Sequence, residues 1–458
     1  MTEPAQTNPT SADGSMSPAD RSGARHVSGN GPPHSRPTRD LYPDALRACA
    51  LLVVVLGHWV ATLPVLEDGR LVGTGHLLRA WGPAAALTWL VQVVPLFVFV
   101  SAAVSTPGVV RRLGEGHSQR QWWARRALGL ARPTLTYLLV LAAIALLARL
   151  LDGHLLQAFN TSLTIHLWFL VMLLAVQALL PLCVRADRRF GLKAVAALLL
   201  IAVIADLLRA GIRQPAELLQ LGARVDANPG GIGWINLLAV WLLPQQLGIA
   251  WRNGRLAGAR HGAALIALAV AWLAAAMASG YPVAMVGVQL AGNNMLPPTL
   301  ALVGVVWLQA GAVLLAESPA RRFLQRHPLP RVVAVLGALG MPLYLWHKLA
   351  ELPAAWIGEW AGLPIDASDP LAPGFWLGRL GWLLLCAACL APVMAAVVRY
   401  ELSRRRDVAP APASATVFLG GAALFAGLGV ALLHGAQGAI VAAAMVLAAS
   451  LLLRARPV

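Results

Sequence analysis

Asp44, Arg47 and His58 stand in one apolar segment near the start of the chain, DALRACALLVVVLGHWV at residues 44–60. Arg47 and His58 lie eleven positions apart, which on an α-helix returns to within about 20° of the same face and advances about 16 Å along the axis. Asp44 stands three residues before Arg47, within reach of an ion pair. Because a neutral imidazole can accept a proton or act as a nucleophile, His58 is the candidate for acid–base or covalent chemistry.

Both residues also have structural explanations. Arg47 could be a snorkelling side chain that anchors one end of a membrane helix. His58 could be a buried histidine that is hydrogen-bonded to a neighbouring helix. An ionisable group this deep in an apolar segment usually faces a cavity or a partner, which favours a functional His58.

The sequence around this segment is typical of a membrane protein. Of its 458 residues, 58% are hydrophobic and 12% are charged, which differs from the usual balance of a soluble domain. Apolar runs of about 17 to 23 residues recur, each long enough to cross about 30 Å of hydrocarbon as a helix. We therefore predict an all-α polytopic membrane protein with about twelve transmembrane helices. The predicted spans lie near residues 46–64, 85–106, 133–150, 165–184, 193–209, 232–250, 262–279, 297–316, 330–347, 375–399, 415–433 and 436–454.

The charge distribution predicts the orientation. The net charge is +16, but the basic residues stand in short segments between apolar runs, so nucleic-acid binding is not predicted. Lys and Arg concentrate in alternate connections, and the positive-inside rule then predicts a multi-pass cell-membrane protein with both termini in the cytoplasm. The connection at 209–231, with Arg209, Arg213 and Arg224, is the main exception.

Four regions follow from composition. Residues 1–40 are rich in Ser, Pro, Gly and Thr and are predicted to be a disordered cytoplasmic tail. Residues 41–402 form a membrane domain that holds the first ten predicted spans. A Pro- and Ala-rich linker at 403–414 separates this domain from an additional transmembrane hairpin at 415–458.

Several stretches in order resemble one family. YPDALRACALLVVVLGHWV is similar to the first span of the acyltransferase family 3 membrane proteins, in which an Arg, ten residues and a His follow an Asp-containing start. The resemblance covers roughly residues 40–400, although relatives usually have Ser-Gly where this chain has Ser101-Ala102. The other matching stretches are VPLFVFVSAAVS at 94–105, ARRALGLARPTL at 124–135, HLWFLVMLLAVQ at 166–177 and GMPLYLWHKL at 340–349.

The resemblance implies transfer of an acyl group, such as acetyl, from cytoplasmic acyl-CoA to a hydroxyl of a carbohydrate, glycan or small-molecule acceptor. His58 then corresponds to the catalytic histidine, as general base or acyl carrier, and Arg47 joins the catalytic set as a residue that binds or orients the donor. Acyl-CoA is a co-substrate and no permanently bound cofactor is implied. The expected partners are acyl-CoA, the acceptor and membrane lipid, and the oligomeric state stays open.

Phosphate groups of a CoA donor need Arg or Lys at the cytoplasmic face. Arg125, Arg126 and Arg132 stand just before Pro133, where relatives also have arginines, and are predicted to bind the donor. Relatives have closer Arg spacing before the proline, and ordinary positive-inside charge is the alternative explanation.

An acceptor pocket is predicted at the outer side of the membrane. His166 and Trp168 open the fourth predicted span, and Tyr344 and His347 close the ninth. Tyr344 and His347 are three residues apart and share a helical face, so they could line one wall of the pocket. An interfacial anchor is the alternative for Trp168, and a structural hydrogen bond is the alternative for the two histidines.

Arg379 is also predicted to line the acceptor pocket. It stands near the outer end of the tenth predicted span, whereas most Lys and Arg residues are predicted to lie on the cytoplasmic side. Its expected partner is Glu351, Glu359 or an anionic acceptor.

Two other functions stay open. A transporter or flippase of a glycan or metabolite could use the same Arg and His as a substrate or proton path. A membrane glycosyltransferase would need an acidic pair or a metal site, whereas Glu67 and Asp68 fit a helix connection better. Cys386 and Cys389 spell C-x-x-C without a second pair, so no metal is predicted.

Overall fold

The computed structural model describes residues 40–116, 118–151, 153–210, 229–286, 294–327, 329–366, 369–403 and 414–454. The predicted tail before Asp40, most of the linker at 403–414, and Arg213 and Arg224 lie outside the described residues. The elements in chain order are α1 Leu41–Ala61, β1 Thr62–Glu67, β2 Arg70–His76, α2 Leu77–Ala80, α3 Ala84–Val91, α4 Val94–Gly114, α5 Gln119–Leu150, α6 His154–Phe159, α7 Ser162–Ile165, α8 Trp168–Phe190, α9 Lys193–Ala210, α10 Asn236–Arg252, α11 Gly258–Ala278, α12 Leu300–Arg326, α13 Pro330–Trp346, α14 Glu351–Trp360, α15 Phe375–Ser403, α16 Ser414–His434 and α17 Ala439–Leu452.

Each of the twelve predicted spans overlaps a helix, although the second, 85–106, covers both α3 and α4. The chain is a multi-pass helical membrane protein. Nine stretches of the described residues are long and apolar enough to cross a bilayer, or ten if α13 and α14, bent by 60° at their break, form one span. Two features lower the number below twelve. The helix α9 carries Lys193, Asp206 and Arg209, and α16 and α17 belong to one stretch, Ser414–Leu452.

A β-hairpin departs from the predicted all-α architecture. The strands β1 and β2 pair antiparallel, with Glu67 opposite Arg70. Asp68 and Gly69, between them, have φ angles of 50° and 76°, which suit a two-residue hairpin turn with both residues left-handed. The first helix therefore ends at Ala61 rather than near residue 64.

Small residues allow the helices to approach closely, as is usual in membrane proteins. A Cβ atom at Gly248 of α10 would overlap the carbonyl oxygen of Phe99 in α4. Likewise, a Cβ at Gly262 of α11 or at Gly311 of α12 would lie 2.8 Å from the carbonyl oxygen of the other glycine. Backbone contacts of this kind fix α4 against α10 and α11 against α12.

The helix α1 packs against α4, α12, α13 and α15. At its start, Asp40 accepts a hydrogen bond from the Tyr42 N–H at 3.2 Å and pairs with Arg321 of α12 at 2.5 Å. The Tyr42 hydroxyl donates to the Val313 carbonyl at 2.7 Å. These bonds anchor the helix that carries Arg47 and His58.

The C-terminal hairpin of α16 and α17 is docked on α5. The Trp123 ring of α5 stacks on Phe425 with ring centroids 6.5 Å apart. It also lies so close to Gly421 that a Cβ atom there would be 2.8 Å from the ring. Asn160, after α6, donates to the His434 carbonyl at 3.2 Å and accepts from the N–H of Ala436 at 3.0 Å. The hairpin thus packs against the membrane domain through specific contacts.

Candidate active site

His58 and His347 form a hydrogen-bonded pair. His58 lies in the last turn of α1, and His347 directly follows α13. The distance from His58 Nδ1 to His347 Nε2 is 2.8 Å, and the two rings are nearly parallel at 18°. Because Trp59 Nε1 also donates to the His347 carbonyl at 3.0 Å, the end of α1 is held to the end of α13 by two bonds.

The backbone determines the tautomers of this pair. His347 Nδ1 lies 2.7 Å from the Tyr344 carbonyl oxygen, which can only accept, so the proton of a neutral His347 is on Nδ1. His347 Nε2 therefore accepts, and His58 Nδ1 carries the donated proton. This assignment leaves the lone pair of His58 on Nε2, to which no described residue forms a hydrogen bond.

His166 completes a histidine cluster, which we define as His58, His166 and His347. Its ring meets the edge of His347 at 5.4 Å and packs against Tyr344. Neither ring nitrogen of His166 makes a hydrogen bond of normal geometry to a described residue, although the Leu345 backbone lies beside the ring. His166 and His347 are fully buried, whereas His58 is only partly buried. His58 is therefore the most exposed member of the cluster.

Tyr344 and Trp168 occupy different surroundings. The Tyr344 hydroxyl donates to the His166 carbonyl, so Tyr344 is buried beside the cluster, as its predicted shared face with His347 requires. Trp168 packs on Phe169 and Trp241, and its ring contacts are with these two residues rather than with the cluster.

A buried ion pair lies at the break between α13 and α14. Lys348 Nζ is 2.6 and 2.7 Å from the two carboxylate oxygens of Glu351. It also donates at 3.0 Å to Thr62 Oγ1, which lies 3.0 Å from the His58 carbonyl oxygen. Lys348 and Thr62 were not predicted from the sequence, although the three-residue spacing of Lys348 and Glu351 is a signal for such a pair.

Arg379 of α15 caps the end of α1. It donates to the Trp59 carbonyl at 2.7 Å and to the Thr62 carbonyl at 2.6 Å. Among the described residues, neither carboxylate expected as its partner forms a hydrogen bond with Arg379. Glu351 is paired with Lys348 and acts on Arg379 through its charge alone, and Glu359 lies 3.0 Å from His154. A helix C-terminus attracts a cation, since its last carbonyls have no partners within the helix.

His76, at the end of β2, is a further histidine that was not among the predicted site residues. Its Nδ1 accepts a hydrogen bond from the Leu78 N–H at 3.2 Å and so caps α2. Burial, followed by the positive charges of Lys348 and Arg79, lowers the pKa of His76 to about 4. His76 is therefore neutral near pH 7.

Four arginines line one cavity beside the other half of α1. The cavity has a volume of about 370 Å³, and Arg47, Arg112, Arg125 and Arg126 contribute to its wall. Its remaining lining residues are Val104, Ser105, Gly108 and Trp122. Of the predicted donor-binding residues, Arg132 is not part of this lining, whereas Arg112, which was not predicted to bind the donor, is part of it.

Local contacts orient the cavity arginines. Arg47 pairs with Asp44 at 3.4 Å, which confirms the predicted ion pair. The Arg126 guanidinium stands 5.6 Å over the Trp122 ring and donates to Ser105 Oγ. Guanidinium groups gathered in this way match the oxygens of phosphate or carboxylate groups.

The described residues contain no group of three or more His, Cys, Asp or Glu side chains that could hold a metal ion.

A family model described as an acyltransferase domain matches residues 40–400. The chain belongs to acyltransferase family 3. In this acyltransferase family 3 protein, the matched region starts at the cap of α1 and ends within α15, so it includes both the histidine cluster and the arginine cavity. No curated protein and no solved structure matches the chain significantly.

Proposed function

We propose that this protein transfers an acyl group, such as acetyl, from acyl-CoA to a hydroxyl of a carbohydrate, glycan or small-molecule acceptor. One observation carries the proposal: a single helix, α1, joins the arginine cavity at Arg47 to the histidine cluster at His58. Membership of acyltransferase family 3 supports the reaction type.

The arginine cavity is the proposed donor site. Four guanidinium groups around about 370 Å³ suit the phosphates of CoA. The interval from Arg47 to His58 along α1 is about 16 Å, a length that the extended pantetheine arm of CoA can follow. The phosphates then stay at the cavity while the thioester reaches the histidine.

The proposed chemical step uses the lone pair on His58 Nε2. The acceptor hydroxyl oxygen bonds to the thioester carbonyl carbon while its proton moves to Nε2, and the carbon–sulfur bond breaks. The proton then passes to the sulfur, which gives free CoA and the acyl ester. An acyl-histidine intermediate would use the same lone pair as nucleophile.

We further propose twelve membrane crossings with both termini in the cytoplasm of a cell-membrane protein. The arginine cavity then faces the cytoplasm, where acyl-CoA is available, and the histidine cluster lies towards the outside. An acceptor on the outer side, such as an envelope polysaccharide that becomes O-acetylated, could reach His58 from there.

Acyl transfer from labelled acetyl-CoA in membranes tests the proposal. We expect His58→Ala to lower the rate by about 10²–10⁴-fold, the usual contribution of a general base. His261→Ala is the matched control, because His261 is exposed at the start of α11 and, among the described residues, its ring bonds only to the backbone just before that helix. Equal rates for wild type and His58→Ala would contradict the proposal. Flux of a glycan or metabolite that needs no acyl-CoA would favour the transporter alternative.

A further inference from the structure

We infer that His347 is a positioning residue, whose Nε2 atom holds the Nδ1–H of His58 and thereby keeps the reactive lone pair on His58 Nε2. The inference rests on the proposed function. It gives His347 a role other than the acceptor contact expected from its sequence position, because His347 is fully buried and faces His58.

The proton on His347 is fixed by the backbone. Its Nδ1 points at the Tyr344 carbonyl at 2.7 Å, three residues earlier at the end of α13. A carbonyl oxygen has no proton to give, so a neutral His347 must donate there and accept through Nε2. The backbone of α13 thus determines which nitrogen of His347 is an acceptor.

Because His347 Nε2 is an acceptor, it also determines the tautomer of His58. An isolated neutral imidazole can carry its proton on either nitrogen, and only the tautomer with the proton on Nδ1 has a lone pair on Nε2. The 2.8 Å contact with His347 selects that tautomer and the ring orientation. When His58 takes the acceptor proton on Nε2, its Nδ1–H stays bonded to His347, so the pair also stabilises the imidazolium.

The position of His347 is held from several sides. Its backbone is fixed by the bond from Trp59 Nε1 to its carbonyl and by its own N–H to the Leu343 carbonyl at 3.2 Å. Beside it, Lys348 is bound to Glu351 and Thr62. His347 is therefore a fixed partner, and it can act on the acceptor only through His58.

Three substitutions at one position separate hydrogen-bond direction from packing. His347→Gln can put an amide oxygen near the position of Nε2 and keep an acceptor for His58. His347→Asn keeps a donor near Nδ1 for the Tyr344 carbonyl but has no acceptor for His58. His347→Leu removes both groups and keeps an apolar side chain.

The assay is acyl transfer from acetyl-CoA by the full chain in membranes, with kcat and KM determined separately. We expect His347→Gln to keep kcat within about tenfold of wild type, and His347→Asn and His347→Leu to lose about 10²–10³-fold. KM for acetyl-CoA should stay unchanged in all three variants, because the arginine cavity lies near the opposite end of α1.

Two results would overturn the inference: wild-type kcat in His347→Asn, or a loss in His347→Gln as large as in His347→Asn. If His347→Leu does not fold, the comparison of kcat in His347→Gln and His347→Asn still tests the inference. An inactive wild type, or an active His58→Ala, would instead contradict the proposed function, so the two failures are distinguishable.

Discussion

Arg111 and Arg112 are neighbours on α4 that face different surroundings. Arg112 lines the arginine cavity, whereas the Arg111 side chain is 72% exposed and lies 3.9 Å from Glu115. A charge-assisted hydrogen bond to phosphate contributes about 1.5–3 kcal/mol. We therefore expect Arg112→Gln to raise KM for acyl-CoA about tenfold or more, as measured in initial-rate kinetics.

Arg111→Gln provides the matched control, since it removes the same charge from the same helix end without touching the cavity. Its KM should equal that of wild type. If both variants raise KM to the same extent, general surface charge attracts the donor, and the cavity assignment is wrong.

His76 makes a prediction about pH. The unfolded chain has a histidine pKa near 6.5, while the folded pKa of His76 is about 4. Between these values the unfolded state binds more protons, so the free energy of unfolding falls as pH drops from about 6.5 towards 4. In His76→Asn, the Asn side chain can still cap α2 but does not titrate. We expect its thermal midpoint in detergent to fall less than that of wild type between about pH 7.5 and pH 5.

Equal falls in the two proteins would show that His76 is already accessible to protons in the folded state. The comparison removes the contribution of the other histidines, because they are the same in both chains.

At the scale of elements, the contact between α4 and α10 depends on one missing side chain. A Cβ at Gly248 would overlap the Phe99 carbonyl, and backbone atoms cannot move aside as a flexible side chain can. We expect Gly248→Ala to destabilise the protein by about 1–3 kcal/mol, measured as a lower thermal midpoint in detergent. Since α4 also carries Ser105 and Arg112 of the arginine cavity, donor affinity should fall as well.

The control for this prediction is Gly129→Ala. Gly129 is exposed on α5, and an added Cβ there would meet no atom of another described element within 4 Å. Alanine also favours a helix over glycine by about 1 kcal/mol, so the midpoint should match or exceed that of wild type. If both variants lowered the thermal midpoint to a similar extent, the close contact at Gly248 would not be the cause of the destabilisation.

The positions of most helices were predictable, because long apolar runs can satisfy their backbone within a bilayer only as helices. The hairpin was missed although its signal is present: Asp68-Gly69 stands between LPVLE and RLVGTG, a typical hairpin turn between partly alternating strands. The proximity of the first long apolar run outweighed this local signal. The ninth span was predicted to end at residue 347, and α13 ends at Trp346. The short helix α14 beyond the 60° bend was missed, since nothing in LYLWHKLAE marks a change of helix direction.

At the scale of the whole molecule, the proposed orientation puts the β-hairpin outside and the connection between α4 and α5 inside. Asp68 and Glu115 are exposed in these two places. In a background without the four native cysteines, we expect Asp68→Cys to react with a membrane-impermeant maleimide in intact cells. Glu115→Cys should react only after the membrane is opened.

The reverse pattern would invert the proposed topology and move the arginine cavity away from cytoplasmic acyl-CoA. Labelling of both positions in intact cells would instead mean that the chain between them does not cross the membrane an odd number of times.

The site was predictable in part, and the limit is geometric. Spacing along one helix predicted that Arg47 and His58 lie on the same helical face. The same periodicity predicted the ion pair between Asp44 and Arg47. The bond between His58 and His347 joins residues 289 positions apart, and no periodicity within one helix relates them. Arg379 shows the same limit: it donates its hydrogen bonds to backbone carbonyls, which every residue has and which no sequence motif marks.

The anchoring of α1 at both ends has a consequence for insertions and deletions. Asp40 and Tyr42 hold the start of this helix, and Arg379 holds its end, so the helix cannot slide or rotate freely to absorb a change in length. One residue added between Arg47 and His58 would turn one against the other by about 100°. The number of residues between Arg47 and His58 therefore fixes the angle between the two side chains around the helix axis as well as the distance along it. We expect this segment to tolerate substitutions far better than insertions or deletions.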